Sequence, residues 1–555
     1  MKNCIWSILF FFSFSLFAQE KSKIPFTVNG SIQSDILFPQ EDATIGAESY
    51  NELARTNTYA DLNLVSAYLD AGARFEYLKY PLPGFNDLGF AGWGVPFFYA
   101  TGKYKKAKLT VGDFYDQFGS GLIFRIYEDR NLGIDNSLRG ARLTYEPYKG
   151  IQFKVLGGTQ RRYWEHNEGY VLGTDLELSI DQWIRKMEET NTFLTLGGSF
   201  VSKHEPDEII TTDAAHRLNL PENIGAFDIR VRLQKGNYTF LAEYAEKAND
   251  PSKDNNYIYK KGNALLLSGS YAQSGMSVLL QAKRSDNMSF RSKRSQLLNS
   301  SFINHLPAFT TEQTYALAAL YPYATQPDGE WAFQGTFSYH FKRKSALGGK
   351  YGTTVRLNAS HIRDIDKKYV DGYDPTLSYM ESFLKGTNGY SSSFFKMGKK
   401  LYYQDINLSI DKKLTNDFKL NLMYMNQYID LGVVRKEIGI VKSNIFVAEG
   451  KYQLNKKATI RSELQYLNTK QDEGDWIAGV IELSLLPYFM FTVSDMYNVG
   501  ETNIHYYKAL ITYTWQAHFI QLGYGRTRAG RDCSGGVCRD VPASRGFTLS
   551  YNYNF

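Results

Sequence analysis

The sequence predicts an all-β fold: a transmembrane antiparallel β-barrel of about 24 strands, within a range of about 18–26, with short periplasmic turns and long extracellular loops. Three observations carry this. Tyr 41, Phe 36 and Trp 7 make the chain 15% aromatic, yet its mean hydropathy is −0.37. Beyond the first 18 residues no apolar run approaches the roughly 20 residues a membrane helix needs. Segments that alternate apolar and polar residues recur along the chain, as strands with one face in lipid and one in water must. At 555 residues a soluble chain would divide into several domains. The composition suits one large barrel better. A net charge of +6 spread over this length leaves no nucleic-acid footprint.

The N-terminus reads as an export signal over residues 1–18. Met1-Lys2-Asn3 is a short positive region, Ile5–Phe17 is apolar, and Ala18 precedes polar Gln19-Glu20. Residues 19–555 are then expected to form a single barrel, with neither a preceding plug domain nor an appended soluble domain. The expected location is the bacterial outer membrane, with its lipid as the surrounding partner.

Strand faces follow from the alternation of side chains. Phe547, Leu549, Tyr551, Tyr553 and Phe555 share the apolar face of the last strand; Thr548, Ser550, Asn552 and Asn554 share the other. Phe227, Ile229, Val231 and Leu233 alternate with Asp228, Arg230, Arg232 and Gln234. Trp331, Phe333, Phe337, Tyr339 and Phe341 repeat the pattern, as do Phe418, Leu420, Leu422 and Tyr424 against Lys419, Asn421 and Met423. Charges on the second face predict a wet lumen. Short turns are expected at Tyr148–Gly150, Lys235-Gly236, Ser274-Gly275, Lys413–Asn416, Asn455–Lys457 and near Pro487, with a turn helix over Asp181–Glu189. Longer polar segments at 38–56, 114–137, 205–222, 287–330, 363–398 and 529–542 are expected on the opposite, extracellular rim. Gly119–Tyr127 fits either a strand or a loop folded into the lumen. A segment as long as 287–330, with apolar Ala316–Tyr323, is expected to be tucked inside or covered by a partner.

Signals for chemistry are poor. The eight His residues are scattered, with no H-E-x-x-H and no G-x-S-x-G. Ser120, between Gly119 and Gly121, reads as a bend. No enzyme activity, cofactor or metal is expected. Asp364, Asp366, Asp371 and Asp374 could crowd oxygen ligands around calcium. Pro375 stands where a closing Glu would be needed, and a solvated loop is the better reading.

The densest constellation lies at 111–142. Asp113, Asp116, Glu128, Asp129 and Asp135 meet Arg125, Arg130, Arg139 and Arg142 between glycines. Two readings fit: a lumen constriction that pairs its charges internally, or a plain strand-loop-strand with rim salt bridges. Cys533 and Cys538 flank Ser534-Gly535-Gly536-Val537, which can turn back sharply, and an even pair in an exported chain reads as a disulfide. A zinc site would need four ligands. The small closed loop suits a contact surface at the outer rim.

Gly112-Asp113-Phe114-Tyr115, Gly119-Ser120-Gly121, Tyr127-Glu128-Asp129-Arg130 and Leu132–Gly140 resemble a family of outer-membrane β-barrels of the Bacteroidota. So do Leu306-Pro307-Ala308, Tyr315–Ala318 and the Cys533–Arg539 loop. The resemblance implies fold and location and no activity, since the family's function is unknown. Two functions are therefore expected to compete. One is a porin-like channel for small polar solutes, partly occluded by inward-folded loops. The other is a non-conducting scaffold barrel that meets other outer-membrane proteins through its extracellular loops.

Overall fold

The computed structural model describes residues 26–85, 89–297, 299–371 and 384–555. The expected export signal and Asp374 and Pro375 of the acidic segment lie outside them. One sheet closes on itself: Thr27–Pro39 pairs antiparallel with Ser544–Asn554, with Ile32 opposite Tyr553 and Ile36 opposite Leu549. The sheet has 25 strands, of which the two-residue Glu165–His166 only extends the end of Ile151–Arg162, leaving 24 that form the wall. Every wall strand is antiparallel to both neighbours, so closure leaves no unpaired edge.

The connections alternate in length. Tight turns join strands at one rim, for example between Asn223–Lys235 and Tyr238–Lys247, and between Gly262–Gln273 and Met276–Asp286. Gly236 and Gly275 sit there at φ +54° and +82°. A Cβ on Gly236 would meet nothing, so backbone conformation and not space requires glycine at that turn. The expected turn helix is present at this rim as a 3₁₀ turn over Ile180–Gln182 followed by Arg185–Glu189. The opposite rim carries 40–54, 115–137, 205–222, 287–328 and 528–543.

One expected loop is different. Much of 363–398 is strand: Thr353–Tyr369 and Tyr390–Lys413 run on past their neighbours as a hairpin, with register shifts between Ile362 and Lys367. Asp364 accepts the Lys400 backbone N–H (3.0 Å) and Asp366 pairs with Lys396 (3.1 Å). Their charges are answered across the hairpin, which is why an acidic run here remains β.

The outer face is apolar along the register. Phe337, Leu357, Leu408, Tyr424, Phe446, Tyr466, Ile477 and Tyr497 lie opposite one another in turn on consecutive strands, all pointing outward. Seven of these, from Phe337 through Ile477, are exposed large hydrophobics. Such a belt is stable only in contact with hydrocarbon. Among the described residues no helix is long and apolar enough to cross a membrane.

Candidate functional site in the lumen

The inward face is where sequence and structure differ most. The segment 115–137 leaves the end of Ala107–Phe114 and folds back through two small ladders, Asp116-Gln117 with Arg125-Ile126 and Glu128-Asp129 with Ile134-Asp135. Between them Phe118, Leu122, Ile123 and Phe124 are 0% exposed. They pack on inward side chains of the neighbouring wall, Leu156, Val171, Val201, Ala226, Ala245 and Ala264. Gly119–Tyr127 is thus an inward-folded loop and not a wall strand. Gly119 (φ +49°) lies against Glu243 and Arg230, and the Ser120 N–H donates to Glu243 Oε2 at 2.9 Å. The Gly-Ser-Gly bend is a close-packing site.

A buried ion network anchors this loop. Arg74 pairs with Glu76 (2.9 Å), Glu128 (2.7 Å) and Asp135. Arg161 pairs with Glu76 (2.7 Å) and Asp135 (2.6 Å). Burial pushes the Asp135 carboxyl up, but Arg161 and Arg74 outweigh it and hold it below the usual carboxylate range. Arg130 reaches the wall, pairing with Asp61 (2.8 Å), donating to Gln33 (3.2 Å) and lying over the Tyr59 ring. Arg142 and Lys154 share Asp116 (3.1 and 3.0 Å). Asp129 caps a turn through the Asn131 and Leu132 N–H groups. Arg125 lies over the Tyr127 ring. Six candidates, Asp116, Glu128, Asp129, Arg130, Asp135 and Arg142, therefore belong to the inward loop or its lumen anchors, and Arg125 to the loop itself.

Asp113 and Arg139 do not. They form a two-bond pair (3.0 and 2.9 Å) in the same row as Leu109, Val111, Leu143 and Tyr145, which points outward, and Arg139 covers the exposed Phe98 ring. The pair caps the outer face at the long-loop end, where polar groups meet water again. Charge placed these two residues in the lumen; strand parity places them outside. Arg74, Glu76, Arg161 and Asp61 were missed, because nothing local marks them as partners of a loop far along the chain.

The segment 287–328 fills the other side. Phe290, Ile303, Leu306, Phe309, Leu317, Tyr321 and Tyr323 are buried in the same apolar core as Met423, Met425, Ile429, Val441, Ile445, Val447, Leu467 and Trp476. The latter are inward-facing wall residues. The lumen face here is apolar on its long-loop half and polar below, where Arg461 gathers Glu449, Glu463 and Glu482. Polar bonds set the fit: Leu317 N–H to Gln465 Oε1 (2.8 Å), Gln427 Nε2 to the Tyr321 carbonyl (3.0 Å), and Tyr321 OH to Asp472 (2.7 Å). The charged inward rows led to the expectation of a wet lumen, with the run Ala316–Tyr323 tucked inside or covered by a partner. Alternation reveals which residues face inward but not what covers them. The apolar run Ala316–Tyr323 is covered by the chain's own wall.

His305 lies in this packing, with its backbone N–H donating to the Gly121 carbonyl at 2.9 Å and its ring edge-on to Tyr127. Burial, then Arg125 and Lys283, push its imidazole down to about 3. It stays neutral when packed, while a released His305 would take a proton below about 6.5. The packed state is thus fully favoured above that pH and loses about 1.4 kcal/mol per unit as pH falls from there toward the packed value. Hydrogen-exchange protection factors of 287–328 are expected to fall between pH 6.5 and 4.5, and His305→Gln to flatten that part of the profile.

Cys533 and Cys538 form a disulfide, Cα atoms 4.1 Å apart, across the hairpin Gly530–Ser534 and Val537–Val541. Its tip is not free at the rim. The Gly535 carbonyl accepts the Ala308 N–H, the Gly536 carbonyl accepts the Thr325 N–H, and the Gly535 N–H donates to Glu312 Oε1 (2.7 Å). Asn299 donates to the Cys538 carbonyl, and Arg539 to the Asn131 carbonyl. A Cβ on Gly536 would sit 2.7 Å from Ala308 Cβ. The bonded hairpin therefore ties both inward loops together. Among the described residues no group of three or more His, Cys, Asp or Glu is placed to hold a metal.

The fold and its interior define a large closed membrane β-barrel whose own loops pack against its inner wall. The chain belongs to the family of unknown function DUF6029, whose model matches residues 1–555. No curated protein matches the chain. Similar solved structures include the P pilus usher PapC translocation pore (8% identity, TM-score 0.44, 95% of this chain and 99% of that one). Others are the siderophore receptor PirA from Pseudomonas aeruginosa (9%, 0.39, 95% and 80%) and OccAB3 of Acinetobacter baumannii (10%, 0.34, 95% and 99%). At these identities no activity is carried over from them.

Proposed function

We propose that the protein is an outer-membrane channel for small polar solutes, held partly occluded by the loops 115–137, 287–328 and 528–543. The single observation that carries this is the apolar core shared by loop residues such as Phe118 and Leu317 and inward wall residues such as Leu156 and Met425. A wall of this many strands encloses space that must conduct or be filled. Short turns face the periplasm and long loops the exterior, in the usual arrangement of such barrels. An export signal at 1–18, a Bacteroidota envelope and the absence of enzyme activity belong to this same reading.

Planar-bilayer conductance tests it. The wild-type barrel is expected to pass a small current, and a variant shortened across 306–323 a current several-fold larger. The anchoring networks favour a second reading, a permanently filled scaffold that docks other outer-membrane proteins. Silence of both proteins in the bilayer would select the scaffold and reject the channel.

A further inference from the structure

The loops seal against only part of the circumference. Among the described residues, no member of the large apolar core comes from Thr27–Pro39, Arg55–Val65, Lys508–Trp515, His518–Thr527 or Ser544–Asn554. These strands are neighbours around the point where the barrel closes. Their inward rows are polar over most of the wall: Ser31, Gln33 and Asp35 on the first strand, and Thr548, Ser550 and Asn552 on the last. Gln521 and Thr512 continue the surface, bonded to each other at 3.0 Å. On the opposite arc, by contrast, Met425, Ile445 and Leu467 are fully buried beneath the loop 287–328.

A cavity of about 330 Å³ lies between this polar wall and the loops, lined by Gln33, Asp35 and Ser550 from the wall and by Arg130 and Arg539 from the loops. Its volume is at the lower end for small-molecule sites. One face of the Tyr59 ring lies under Arg130 and one face of the Phe85 ring under Arg539. The open groups are hydrogen-bond donors and acceptors of both charge signs. Among the described residues Asp35 accepts from Gln33 alone (3.0 Å), and Arg539 gives its Nε to a carbonyl.

We propose that solutes cross along this closure seam, between the loops and the first and last strands, and that the seam selects small neutral or zwitterionic hydrogen-bonding solutes. Neither charge sign dominates the cavity, so a single-sign ion gains little there, whereas a solute offering both donors and acceptors finds partners for each. Arg130 bridges the gap from the loop to Asp61 and Gln33 on the wall. The proposal rests on the channel reading above and specifies the route.

Single cysteines test it, the native Cys533 and Cys538 being bonded to each other. Ser550→Cys and Gln33→Cys stand on the seam; Met425→Cys stands on the sealed arc. Each folded variant, reconstituted in vesicles, is treated with a small charged methanethiosulfonate; label is read by mass and current in a bilayer. The seam cysteines are expected to label at least ten-fold faster than Cys at 425, and labelling at 550 to cut the current by more than half. Equal labelling on both arcs, or labelling at 550 that leaves the current unchanged, overturns the seam while the channel reading stands. A barrel that labels at 550 but carries no current before labelling overturns the channel reading itself, and the seam as a route with it.

Discussion

Arg161→Ala is expected to release the segment 115–137 from the wall at a cost of about 3–5 kcal/mol, the range for breaking a buried ion pair from one side. The Arg161 side chain is 3% exposed and reaches Glu76, Asp135 and the Tyr163 carbonyl. Without it, Arg74 alone faces Glu76 and Asp135, while Glu128 keeps Arg130 beside Arg74. Glu76 and Asp135 would share one guanidinium in a site that water enters poorly, so either a proton or water must come in, and the loop is the part that can move. The wall should survive, because its closure depends on strand pairing and on lipid. Limited proteolysis of the folded barrel is expected to cut within 115–137 in Arg161→Ala and not in the wild type. Replacing Arg161 and Glu76 together by Met and Leu should recover much of the loss, because matched apolar substitution of buried pairs is often neutral. Wild-type protection in the single variant would mean that the network is solvated and anchors nothing.

The limits of the sequence show at the same residues. The period-2 pattern was enough to place the apolar belt, the tight turns and the number of wall strands, because lipid on one side and a lumen on the other leave a local mark on every strand. The disulfide hairpin was legible for a similar reason: two cysteines and two glycines within a few positions define it. The interior was not. Met423 and Met425 alternate on the inward face like any lumen residues, and only the distant loop 287–328 explains why they are apolar. Arg74 and Arg161 are ordinary strand residues until Asp135 arrives between them. Asp113 is the instructive error, since it continues the outward row of Leu109 and Val111 and parity alone would have placed it correctly. In Asp364 and Asp366 charge again outweighed alternation, and a bulged strand was taken for a loop.

Leu422→Arg should separate the two faces most sharply. Leu422 is 44% exposed on the outer wall, opposite Ile410 on one neighbour and Ala448 on the other. Its row is apolar from Phe418 through Tyr424, so an arginine there has hydrocarbon around it and no carboxylate beside it. An arginine at the midplane of a barrel's lipid face costs about 2–4 kcal/mol, falling toward the interfaces. Lys419, three residues earlier, faces inward near the short-turn rim, directly across from Lys413 and Lys451. Like charges opposite one another repel, so Lys419→Ala removes a mild repulsion in a wet part of the lumen and should change stability by less than about 0.5 kcal/mol. The heat-modifiable gel shift, followed against urea, reads both variants. Leu422→Arg is expected to lose the folded band at clearly lower urea, with Phe337→Arg behaving alike and Lys419→Ala tracking the wild type. Equal sensitivity of the Leu422 and Lys419 variants would mean that the belt running from Phe337 to Tyr497 does not face lipid, and the assignment of inside and outside would have to be reversed or abandoned.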